Sequence, residues 1–92
     1  MNAAWLDAIT RSGLSSTERW VLVAWLRRVG ESGEGAVAIA DLVMDTGFGK
    51  RTVRRALRVL RNRRVLDEPG RTQDGHLRLR LEVAVLVHHD RG

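Results

Sequence analysis

The 92-residue chain has no cysteine and no tyrosine, one proline, one phenylalanine and no long apolar run. Without cysteine, neither a disulfide framework nor a thiolate metal site can form. With one Phe and no Tyr, no exposed aromatic platform for stacking bases is expected, and RNA ranks lowest among the possible ligands. His76, His88 and His89 are the only imidazoles. Neighbours on a strand face opposite ways, so the last two are poorly placed to share one metal. The carboxylates are scattered with no facing pair, and no glycine-rich phosphate loop is present. No catalytic residue, metal or cofactor is expected, and no small-molecule substrate is evident. The first nine residues carry neither a basic n-region nor a membrane-length apolar segment, so a cytoplasmic location is expected.

The most informative scarcity is local. Between Gly47 and Leu66 there is no acidic residue, while Lys50, Arg51, Arg54, Arg55, Arg58, Arg61, Arg63 and Arg64 make up half of the sixteen Lys and Arg residues. The stretch carries +8, the residues before it −2 and those after it −1, giving the net +5. Wound as a helix at about 100° per residue, Val53, Ala56, Leu57 and Leu60 fall on one side, and Lys50, Arg51, Arg54, Arg55, Arg58 and Arg61 on the other. Charge on a helix is most often simply solvated. A solvated face mixes signs, however, and like charges stacked as Arg51 over Arg55 and Arg54 over Arg58 repel by a few tenths of a kcal/mol each. A polyanion relieves that repulsion. The sequence pI near 11.4 points to the same class of partner.

The whole chain, residues 1–92, is expected to form one small domain, with 43% hydrophobic residues for its core. Residues 1–12 predict a short helix from Ala3 to about Arg11, with Trp5, Leu6 and Ile9 on one side. Ser15 and Glu18 form an S-x-x-E capping box that opens a helix to about Val29. The main stripe of that helix is Val21, Leu22, Trp25, Leu26 and Val29, yet Trp20, Val23 and Ala24 lie behind it, so burial on two sides is expected. Either the first helix covers that back with Trp5 and Ile9, shielding Trp20 or Val23, or the back is a dimer interface. The glycine-dense run 30–35 predicts a loop. Residues 36–38 predict a short strand and 39–46 a two-turn helix with Ile39, Leu42 and Val43 inward. Gly47 then stands as its left-handed C-cap residue. Val65 and Leu66 open a strand, 67–70 reads as a turn, and Leu77, Leu79, Leu81 and Val83 alternate with His76, Arg78, Arg80 and Glu82. With the Asp74-Gly75 signal, a hairpin over 65–83 follows. Residues 84–92 read as a tail.

This order, and above all Asp-Thr-Gly-Phe-Gly-Lys-Arg-Thr-Val-Arg-Arg-Ala-Leu-Arg-Val-Leu from residue 45, resembles the winged helix-turn-helix DNA-binding domains of bacteria, phages and plasmids. The resemblance covers residues 15–83. Gly47 matches the turn glycine, Phe48 the apolar plug between helices, and Val53 and Leu57 the inward positions of the recognition helix. Gly49 departs from the usual Ser N-cap, and Val43 from the Ala usual where two helices pass closely. The implied fold is α+β, mainly α: a three-helix core with a C-terminal hairpin wing, plus the extra N-terminal helix.

The resemblance implies sequence-specific binding of double-stranded DNA by a recognition helix at about 49–63 and a wing at about 67–80. Lys50, Arg51, Arg54 and Arg55, in the first turn and a half, are the candidates for reading base edges, since Arg bonds bidentately to guanine. Thr52, Arg58 and Arg61 are the candidates for the phosphate backbone, and Arg71, Thr72, Gln73 and His76 for the wing. Arg63 and Arg64, at the helix end, serve the helix dipole as readily as DNA. A small transcriptional regulator, or a phage or plasmid replication, partition or excision factor, is expected, acting as a nucleoid-associated homodimer. The competing expectation is a winged-helix interaction module that docks its Arg face on an acidic protein.

Overall fold

The Ser15–Glu18 cap forms as its spacing predicts: Glu18 N donates to Ser15 Oγ at 3.2 Å, and Ser15 N donates to Glu18 Oε1 at 3.1 Å. The structure is a computed structural model that describes residues 3–71 and 77–82. Its elements are α1 (Ala3–Arg11), α2 (Ser16–Val29), a 3₁₀ turn (Gly30–Ser32), β1 (Glu34–Ala36), α3 (Ile39–Thr46), α4 (Lys50–Asn62), β2 (Leu66–Arg71) and β3 (Leu77–Leu81). The described residues thus form a mostly helical α+β domain with a three-stranded antiparallel sheet in the order β1-β3-β2.

Helix α2 is the central post, packed by α1, α3 and α4. Val21, Leu22, Ala24, Trp25 and Leu26 of α2 are buried. They join Leu42 of α3, the apolar stripe Val53, Ala56, Leu57 and Leu60 of α4, and Leu66, Leu79 and Leu81 of the sheet. The period-two pattern of β3 holds where it can be seen, with Leu79 and Leu81 inside and Arg80 exposed. Burial of the α4 stripe fixes the rotation of that helix, and so decides which of its residues face outward.

Two strand boundaries differ from the expectation. The first strand lies at Glu34–Ala36 rather than 36–38, paired as Glu34 with Arg80, Gly35 with Leu79 and Ala36 with Arg78. The glycine-rich run joins the sheet because the strand passes close to α2: a Cβ at Gly35 would stand 2.9 Å from Val29 Cγ1. Residues 67–70 do not end the second strand, which runs on to Arg71 with a register shift between Asp67 and Gly70. Pro69 lacks a ladder donor, and a bulge on an edge strand is where a sheet tolerates it.

Shielding of Trp20 by α1, one of the two alternatives for the back of α2, is not met. Helix α1 does lie on α2, and it buries Ile9 and half-buries Trp5 against the core. Its axis leaves Trp20 52% and Leu6 46% exposed. Trp25, one turn further along α2, is 1% exposed. Acrylamide is therefore expected to quench the Trp20 emission strongly and that of Trp25 hardly at all. Trp20→Phe should remove most of the quenchable fluorescence; steady-state quenching of the two chains checks this.

Candidate nucleic-acid interface

The turn between α3 and α4 sets the angle at which the basic helix leaves the core. Gly47 takes φ 77° and its N–H donates to Val43 O at 2.9 Å. Thr46 Oγ1 donates to Leu42 O at 2.7 Å and accepts from Phe48 N at 3.1 Å. Phe48 is half-buried against the core. Helix α4 then starts from Gly49, whose extended backbone caps without a side-chain hydrogen bond.

Along α4, Lys50, Arg51, Thr52, Arg54, Arg55 and Arg58 are exposed, and Arg61 is half-buried. Lys50, Arg51, Arg54, Arg55 and Arg58 line one shallow hollow, so the four expected base readers converge with one of the three expected backbone contacts. Arg58 also borders a second hollow with Arg61, Asn62, Arg64, Leu66 and Asp67. Thr52 lines neither. Of the wing candidates, Arg71 closes β2 opposite Leu77. Thr72, Gln73 and His76 lie outside the described residues.

Elsewhere three arginines pair with acids, although Arg19 and the exposed Arg27 have no carboxylate partner among the described residues. Arg11 pairs with Asp7 at 3.2 Å. Arg28 spans from α2 to the end of α3, with Nε to Asp45 Oδ2 at 2.6 Å and Nη2 to Asp45 Oδ1 at 2.9 Å, and Asp41 lies 3.7 Å away. Arg80 holds Glu82 and Asp67, each at 3.0 Å. Hydrogen bonding to Glu82, reinforced by charge from Glu82, Asp67 and Glu34, holds its guanidinium protonated more firmly than usual. Asp67 borders the second hollow, yet its carboxylate is engaged by the sheet. Lys50, Arg51, Arg54, Arg55 and Arg58 have no carboxylate partner among the described residues. Among the described residues Asp67 is the one acid lining either hollow, and it is held by Arg80, 13 residues away, a pairing no local motif predicts.

The Arg28 clamp also carries a pH dependence. Its hydrogen bond to Asp45 holds that carboxyl below the usual carboxylate range, with Coulombic attraction adding to it against a desolvation cost. A depressed carboxyl contributes stability above its unfolded pKa and loses it as pH falls through the folded value. Asp45→Asn is therefore expected to be less stable than the unsubstituted chain at neutral pH, the gap closing in acid below the carboxylate range. Urea unfolding of both chains in the two conditions checks it, and the effect is small because the pair is exposed.

A separate apolar groove between α1 and α2 is lined by Leu6, Ile9, Trp20, Val23 and Phe48, with Arg19 at its rim. Among the described residues, no three His, Asp or Glu side chains converge as metal ligands would, and no helix is long and apolar enough to cross a membrane. Comparison of the chain with family models, with curated proteins and with solved structures finds no match.

Proposed function

We propose that this chain is a domain of winged helix-turn-helix type that binds double-stranded DNA, with α4 in the major groove and the β2–β3 hairpin beside it. One observation carries the reading: α4 presents five exposed cations side by side with no carboxylate partner among the described residues, while Arg11, Arg28 and Arg80 engage acids elsewhere. The dimensions suit the purpose. A thirteen-residue helix is about 20 Å long, and a major groove about 12 Å wide admits it. Lys50, Arg51, Arg54 and Arg55 sit at the end of the helix that reaches base edges in such complexes, and Arg58 and Arg61 follow along the phosphates. Both proposed roles, regulator of transcription or factor in replication, partition or excision, use this same surface.

Selection of bound fragments from random duplex DNA tests the proposal. Enrichment of one motif supports sequence-specific binding, a palindromic motif would add a homodimer, and recovery of no duplex above background sinks the reading. On the selected site, Arg51→Ala, Arg54→Ala or Arg55→Ala is expected to cost about 1 to 3 kcal/mol and to relax preference at one base pair. Arg58→Ala should weaken selected and scrambled duplexes alike. Were Arg58→Ala to change sequence preference while the other three only lowered overall affinity, the helix would enter the groove by its C-terminal half instead.

A further inference from the structure

Four described residues have positive φ: Gly30, Gly33 and Gly47 at 76°, 66° and 77°, and Arg64 at 61°. Three are glycine, as the steric cost of the left-handed region to any side chain leads one to expect. Arg64 is the exception. It closes α4: Arg64 N donates to Arg61 O and Val65 N to Leu60 O, both at 2.9 Å. This is the two-bond Schellman ending, whose left-handed residue is usually glycine, and Leu60 and Val65 on either side of it are fully buried. At the end of α3 the same chain meets the same requirement with Gly47.

A non-glycine residue held at positive φ is strain, and strain that persists points to a use for the side chain. The helix dipole does not supply that use, because Arg61 already stands in the last turn and Arg63 follows it. The Arg64 side chain is exposed and has no carboxylate partner among the described residues. It borders the hollow shared by Arg58, Arg61 and Asn62, which joins the main basic hollow through Arg58. Asp67, the one acid there, is held by Arg80.

We propose that Arg64 is a phosphate-gripping residue: from the corner where α4 turns into β2, it extends the basic surface past the last helical turn onto the DNA backbone. The inference rests on the duplex-DNA reading and adds a contact at the junction of helix and hairpin. Its signature is opposite movement of stability and affinity. Arg64→Gly should raise the melting temperature by several degrees, as strain relief in a domain of this size does. It should also weaken duplex binding roughly tenfold at fixed salt, make the slope of log K against log[salt] shallower by about one unit, and leave sequence preference unchanged. Arg64→Gln keeps the side-chain strain and removes the charge, so it should melt close to the unsubstituted chain yet bind as weakly as Arg64→Gly. Thermal melts and titrations of the selected duplex at two salt concentrations read all of these. Unchanged affinity and slope in both variants overturn the phosphate role alone, as does a lowered melting temperature in Arg64→Gly, which would make the side chain a structural one. Failure of the unsubstituted chain to bind any duplex overturns the proposed function, and the Arg64 contact with it.

Discussion

A chain lacking residues 1–12 is expected to lose about 2 to 4 kcal/mol of stability, the burial of one large side chain and part of a second at about 25 cal/mol per Å². The side chains concerned are specific. Ile9 is 2% exposed, and Trp5 packs half-buried on the core with its ring end against Gly33, where a Cβ would stand 2.9 Å from Trp5 Cη2. The turn after α1 is also tied to α2, since Arg19 donates to Thr10 O at 3.3 Å and to Leu14 O at 3.0 Å. Truncation removes the first acceptor and uncovers the back of α2 around Val23. Loss of this size is a large part of the stability of a small domain. Urea unfolding of both chains measures it, with Ile9→Ala expected to reproduce much of the loss without truncation. A truncated chain with an unchanged transition midpoint would make α1 a passive arm.

Local chemistry was readable in the sequence wherever one stretch carried its own signal. The capping box at Ser15 and Glu18, the left-handed Gly47, and the two faces of α4 needed no knowledge of their neighbours. The early start of β1 did not show, because Gly35 reads as a loop residue until Val29 is known to pass beside it. Pro69 concealed the length of β2, since a proline argues for a turn unless the strand lies at a sheet edge with a bulge. The apolar back of α2 was visible, but not how much of it α1 would cover, so Trp20 was expected either beneath α1 or in a dimer interface.

The candidate site divides in the same way. Its cations were visible from the run Lys50 to Arg64, whereas the engagement of the acid beside them, Asp67, depends on a pairing that crosses the fold. Arg28 and Asp45 are 17 residues apart and Arg80 and Asp67 are 13 apart, distances at which no local pattern pairs residues. The left-handed backbone of Arg64 carried no mark. Nothing in Asn-Arg-Arg-Val announces a left-handed residue, because glycine, the usual signal, is missing there.

Raising monovalent salt from 50 to 200 mM is expected to weaken duplex binding by roughly 500- to 2,000-fold, about 3.7 to 4.5 kcal/mol. Each backbone phosphate neutralised by Lys or Arg releases condensed counterions, and log K falls by about 0.9 per contact for each tenfold rise in salt. Five or six cations of the row that begins at Lys50 and continues past Arg58, the base readers included because they too displace counterions from the duplex, give a slope of roughly −4.5 to −5.5. The slope is steep because the acids are engaged elsewhere: were Asp67 turned onto Arg58 or Arg64 instead of Arg80, it would already neutralise part of the surface, and fewer counterions would leave. Arg80→Ala tests that dependence. Freed from its partner at 3.0 Å, Asp67 competes with phosphate for the α4 arginines, so the variant should bind duplex more weakly and with a shallower slope although it removes no residue of α4. Titration of the selected duplex across the salt range, for the unsubstituted chain and for Arg80→Ala, reads both slopes. A slope near zero in the unsubstituted chain, with binding to an acidic protein retained, would reassign the Arg face to protein docking.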